Sequence, residues 1–222
     1  MDPGLRRAWT EIVTTDDYDG HMASIGQAQA AAELTGWIIQ AARLPAGARI
    51  TIAGAGTGQM FDLLDPTVFH PYRLTCADLN PVFLERLRSR LTARGLEAEV
   101  VEDDFEQTAL EPRPDLLLAT LLLEHIDWRR GVQAIAGLRP AGCGIVLQEN
   151  PPNMTTAVTP GRRLLPSIAK AIEVGRPTLV PGEELISATI AQGYQSPAIA
   201  SREVADGKRL VGLLFKGSQR VV

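Results

Sequence analysis

The 222 residues carry 45% hydrophobic and 22% charged side chains, which is enough apolar material for one core and too little chain for two well-buried ones. A formal net charge of −4 excludes the overall basic surface that counterion-release binding to nucleic acid needs, and no stretch approaches the roughly 18 apolar residues of a membrane span. Cys76 and Cys143 both lie inside apolar runs and read as reduced, buried thiols, and MDPGLRRAW has no apolar run behind its charges, so a single-domain cytoplasmic protein over 1–222 is expected.

Residues 1–45 are predicted to form a helical flap, with Ile25, Ala28, Ala32, Leu34, Ile38 and Ile39 as an approximate apolar stripe that ends before Pro45. From Arg49 onward short apolar runs alternate with amphipathic segments, the pattern of βαβ units and a mostly parallel sheet. The runs are 50–53, 73–77, 98–101, 115–119 and 144–148. Between the second and third, Pro81 to Arg94 is the clearest helix: Pro81 suits a first turn, Val82, Leu84, Leu87 and Leu91 repeat at helical spacing, and Gly95 stops it. After Pro151-Pro152 strand character is lost, and two helices are predicted at 166–174 and 183–192; residues 153–180 are expected to lie over a pocket. Two last runs, 197–204 and 209–215, flank Ala205-Asp206-Gly207-Lys208, whose Asp-Gly pair predicts an antiparallel hairpin.

The first strand runs straight into Gly54-Ala55-Gly56-Thr57-Gly58. Glycines there allow a sharp turn and a close approach of backbone to ligand. The dinucleotide fingerprint would need Gly or Ala three residues after Gly56; Gln59 stands there instead, so the GxGxG spacing disfavours a pyrophosphate site. The second strand ends in Ala77-Asp78-Leu79-Asn80, placing a carboxylate where it can accept from both hydroxyls of a ribose. The third ends in Glu102-Asp103-Asp104-Phe105 at the same rim. Any one of these acids alone could be a helix cap; together they describe an adenosine site.

Over about residues 45–150 the sequence resembles the class I S-adenosylmethionine-dependent methyltransferases. The resemblance implies a Rossmann-like α/β fold: a seven-stranded, mostly parallel sheet with helices on both faces and an antiparallel C-terminal hairpin. It implies S-adenosylmethionine as cofactor, with Gly54, Ala55, Gly56 and Gly58 passing under its methionine part and Asp78, beside Leu79, holding the ribose. Asp104 is the better match to the acceptor for the adenine amino group, with Phe105 beside the ring; Asp103 is the alternative register. DLLLATLLLEH, 115–125, resembles the family's fourth motif, which puts Thr120 and Leu121 near the methionine moiety. One departure is Ile52, where the family usually has an acid two residues before the first glycine. By analogy Tyr18, His21 and Gln27 of the flap are the candidates to hold the methionine end in its place.

Methyl transfer from a sulfonium is an in-line displacement, so the protein supplies alignment, a dry pocket and, where the acceptor must lose a proton, a base. The candidate bases are His125 and Glu149 foremost, with Glu124, Asp127 and Asn150 on the same rim; His125 has the best-suited ordinary pKa, about 6.5. Trp9, Met22, Met154, Leu164, Leu165 and Ile168 are expected to line an acceptor pocket for a small molecule. Asn150-Pro151-Pro152-Asn153 differs from the Asn-Pro-Pro-aromatic motif of DNA amine methylation in its position and in Asn153, and no histidine or cysteine pair has metal-ligand spacing. The expected function is methyl transfer to a small-molecule acceptor, with no metal, nucleic acid or membrane involved. The rivals are a non-catalytic S-adenosylmethionine-binding partner or sensor and a nicotinamide-dependent oxidoreductase.

Overall fold

A computed structural model describes residues 2–159, 161 and 163–217. Its centre is a seven-stranded sheet in the order β3-β2-β1-β4-β5-β7-β6. The strands are β1 (Arg49–Ala53), β2 (Arg73–Asp78), β3 (Ala98–Glu102), β4 (Leu116–Thr120), β5 (Gly142–Glu149), β6 (Ala198–Glu203) and β7 (Arg209–Lys216). The first five pair in parallel, β7 runs antiparallel to both β5 and β6, and β6 forms the edge. The β6–β7 turn forms where the Asp-Gly pair predicts it, with Asp206 and Gly207 at φ 65° and 68°.

Two of the crossover helices are started by a polar cap. The Asn80 carboxamide oxygen accepts from the backbone N–H groups of Val82 and Phe83 ahead of α5 (Pro81–Ala93), and Asp127 caps α6 (Trp128–Leu138) in the same way. On one face of the sheet Ile50, Ile52, Leu116 and Leu118 pack under α3 (Gln27–Ala42), α4 (Gln59–Leu63) and α5. On the other, Leu117, Cys143, Ile145 and Leu147 meet α6 and α8 (Gly182–Ala191). Both cysteines are buried, unpaired thiols. Gly144 of β5 sits so close to α3 that a Cβ there would lie 2.5 Å from Ile38 Cγ2.

The expected flap is two things. The helix α3 belongs to the core, with Leu34 and Ile38 fully buried, because an apolar stripe does not say whether a helix covers a sheet or a ligand. The cap proper is α1 (Pro3–Arg7), a π-helical turn at Ala8–Ile12 and α2 (Thr15–Ser24). These have their own small core: Ala8 and Val13 pack with Phe83 of α5 and with Ile168 and Ala171 of α7 (Pro166–Val174). The N-terminal cap and α7 therefore share one small core over the pocket.

Candidate functional site

The glycine turn takes the left-handed conformation that glycine adopts without steric cost. Gly54, Gly56 and Gly58 have φ of 65°, 57° and 78°, and a Cβ on Gly54 would lie 2.8 Å from Leu122 Cδ1. At Gly56 the nearest atom to an added Cβ would be the Tyr18 hydroxyl, at 3.4 Å. Asp78 stitches two turns together: Oδ2 accepts from Gly56 N–H at 2.8 Å and Oδ1 from Asn80 N–H at 2.9 Å. Burial raises its pKa above the usual carboxylate value, against the pull of those hydrogen bonds. Next along the rim, Asp103 N–H donates to Asp78 C=O, and Asp103 Oδ1 accepts from Ala109 N–H while its buried Oδ2 has no partner. Asp104 is already engaged, accepting from Glu106 N–H and pairing with Arg6 of the cap.

The cap is latched over this rim. Asp19 of α2 accepts from Thr57 Oγ1 at 2.5 Å and from Arg90 Nη2 at 2.6 Å, and Arg90 also donates to Thr57 C=O and pairs with Asp62. Asn80 Nδ2 donates to Trp9 C=O at 2.6 Å. Trp9, Tyr18 and Phe83 form an aromatic cluster with centroids 5.1–6.3 Å apart, and the Trp9 indole meets His125 edge-on at 4.5 Å. Beneath this cover lies a cavity of about 200 Å³. It extends from Gly54, Gly56 and Asp78 past the end of β4 to Gln148, the β6–β7 turn and the apolar side chains of α7.

Residues 50–142 match a family model described as a methyltransferase domain. Over this stretch the chain is similar to methyltransferase domains. Its fold matches solved structures of low sequence identity. Magnesium protoporphyrin IX methyltransferase from Synechocystis PCC 6803, with bound SAH, is 15% identical, with 97% of this chain and 93% of that chain covered and a TM-score of 0.63. The [4+2]-cyclase SpnF is 14% identical, with 84% and 81% covered and a TM-score of 0.61. A SAM-dependent methyltransferase from Aquifex aeolicus is 12% identical, with 80% and 87% covered and a TM-score of 0.55. No curated protein matches the sequence.

Between the matched stretch and its cap, the cavity gathers Tyr18, His21, Gly54, Gly56, Asp78, Leu79, Asp103, Asp104, Phe105, Thr120, Leu121 and His125. Ala55 and Gly58 do not line it: Ala55 packs in the core, and Gly58 caps α4, where a Cβ would lie 2.5 Å from Leu87 Cδ1. Glu149 is excluded as well. Side chains alternate along β5, so Gln148 faces the cavity while Glu149 faces the other side and pairs with Arg209 at 2.5 Å. Of the expected acceptor wall, Trp9, Met22, Leu164 and Ile168 are in place, whereas Met154 and Leu165 lie outside it. Gln27 is committed to Gln148, donating to its Oε1 at 2.5 Å.

His125 is ill suited to accept a proton. An indole N–H can only donate, so the 3.0 Å bond from Trp9 Nε1 to His125 Nδ1 fixes the neutral tautomer with its proton on Nε2. Burial pushes its pKa down to about 4. The ring accepts from Trp9 at Nδ1 and is left with its one N–H at Nε2, which sequence spacing could not show because Trp9 is 116 residues away. Among the described residues no group of three or more His, Cys, Asp or Glu side chains is placed to hold a metal, and no helix is long and apolar enough to cross a membrane.

Proposed function

We propose that this chain transfers the methyl group of S-adenosylmethionine to a small-molecule acceptor. The carrying observation is the single cavity that joins the glycine turn and Asp78 to an apolar end walled by Leu164, Ile168 and Ile172. A turn that a Cβ would fill and a carboxylate at the β2 end suit an adenosyl amino acid. In this reading Gly54 and Gly56 pass beneath the methionine part, Thr120 and Leu121 flank it, and Asp78 accepts from the ribose hydroxyls. The unpartnered Asp103 Oδ2 is better disposed than the engaged Asp104 to accept from the adenine amino group, with Phe105 beside the ring. Tyr18 and His21 cover the methionine end from α2. When bound, the cofactor supplies an electrophilic methyl group; the protein aligns the acceptor and excludes water.

The test is calorimetric titration with S-adenosylmethionine and, separately, with NAD. Micromolar binding of the sulfonium alone is expected, weakened at least tenfold in Asp78→Ala, as loss of hydrogen bonds to a charged group predicts. Binding of NAD alone, or unchanged affinity in the variant, would overturn the reading. A chain that only binds the cofactor would show the same titration yet form no methylated product from small hydroxyl, amine, thiol and carbon acceptors.

A further inference from the structure

The methyltransferase reading leaves one buried acid unused. Glu124 follows β4 in a 3-10 turn at Leu123–His125 and lines the cavity next to the acceptor end. Its Oε1 accepts from Gln148 N–H at 2.7 Å, extending the β4–β5 ladder past the last residue of β4, and its backbone carbonyl accepts from Thr178 N–H. Its other carboxyl oxygen, Oε2, is buried and has no hydrogen-bond partner. A carboxylate needed only to cap a strand would leave no such orphan, since an unsatisfied buried acceptor costs about 1–3 kcal/mol.

Resting on the proposed methyl transfer, we infer that Glu124 is the group that takes the acceptor's proton, and that it does so only when the cationic methyl donor shares its cavity. As the bond from the acceptor atom to the methyl carbon forms, the S–C bond breaks with its electron pair remaining on sulfur. The acceptor's X–H bond gives its proton to the Glu124 carboxylate. Beside it His125, held as a donor by Trp9, orients the acceptor atom and does not compete for the proton.

The surroundings favour this coupling. Burial raises the Glu124 pKa to about 7, offset in part by the bond from Gln148. The other titratable or charged groups at the cavity are Tyr18 and His21 of α2, Asp78, Asp103 and Asp104 on the far rim, and Asp206 and Lys208 of the β6–β7 turn. From packed elements, Glu149 of β5 faces away, paired with Arg209, and Arg129 and Asp127 of α6 are exposed. The causes of the Glu124 shift are burial and backbone hydrogen bonds, and an arriving cation adds an opposite charge to the same cavity. An opposite charge favours the ionised form, and cofactor binding near pH 7 therefore releases a proton and readies the base.

The experiment is calorimetry at pH 7 in two buffers of different ionisation enthalpy, with S-adenosylmethionine and with the uncharged thioether S-adenosylhomocysteine. The expected result is release of up to about half a proton per site with the sulfonium, distinctly less with the thioether, and no difference between them in Glu124→Gln, whose amide oxygen keeps the Gln148 bond. Equal release by both ligands in the wild type, a measurement that needs no variant, overturns the inference, as does a difference that persists in Glu124→Gln. If neither ligand binds, the proposed function itself fails; binding without differential release sinks only the role of Glu124.

Discussion

Glu124 and His125 are adjacent in sequence and respond to pH in opposite senses. The Glu124 carboxyl binds its proton more tightly when folded, from an ordinary 4.5 to about 7, so its contribution to stability falls as pH rises through that window. The His125 imidazole binds its proton less tightly when folded, from 6.5 to about 4, so stability falls as pH drops through nearly the same window. The upper bound on each is on the order of 3 kcal/mol. The two slopes largely cancel in the wild type, and Glu124→Gln removes one of them. Denaturant midpoints at pH 4.5, 5.5, 6.5 and 7.5 should show the variant gaining on the wild type as pH rises; a constant offset would mean that Glu124 does not titrate in this range. At this scale the rim residues were legible in the sequence because strand ends and glycine turns place them. The roles of His125 and Glu149 were not. One turns on a bond from Trp9 and the other on which face of β5 a side chain takes, and neither is a property of local spacing.

Between elements, two contacts hold the site. Gly144 lets α3 lie against the middle of β5, and Gly144→Ala forces its new methyl onto Ile38 Cγ2 at 2.5 Å and Leu118 Cδ2 at 2.8 Å. A loss of about 1–3 kcal/mol is expected from overpacking, read from chemical denaturation; a loss under 0.5 kcal/mol would show that α3 can move off the sheet. The second contact is the Asp19 latch. Asp19→Asn keeps a partner for Thr57 but removes the charge that Arg90 neutralises. Amide exchange in α2 should then quicken by about tenfold, equivalent to about 1.4 kcal/mol, while the amides of β1 and β4 keep their protection. Uniform acceleration across all three would mean that the cap has no stability of its own. The strands, α5 and the final hairpin could all be read from periodicity and turn chemistry. The latch could not, because Asp19, Thr57 and Arg90 meet only once α2 has folded over the glycine turn.

Across the whole molecule, two sources build the two ends of one cavity. The glycine turn, Asp78 and Asp103 come from the matched stretch 50–142, on strands paired in parallel. The opposite wall comes from α1, α2 and α7 and from the β6–β7 turn, all outside that stretch. The flap boundary was misplaced in the sequence because α3 shares its apolar periodicity with the cap helices, although it belongs to the sheet. On the proposed function, the glycine turn beneath the donor and the α7 wall of the acceptor end come from separate parts of the chain. On that reading, drift in residues 163–180 can reshape the acceptor chamber while the backbone beneath the donor stays as it is. A chimera carrying residues 163–180 from another chain of the same fold should keep its donor affinity and change its substrate. The architecture lets new acceptors be acquired without rebuilding the machinery that delivers the methyl group.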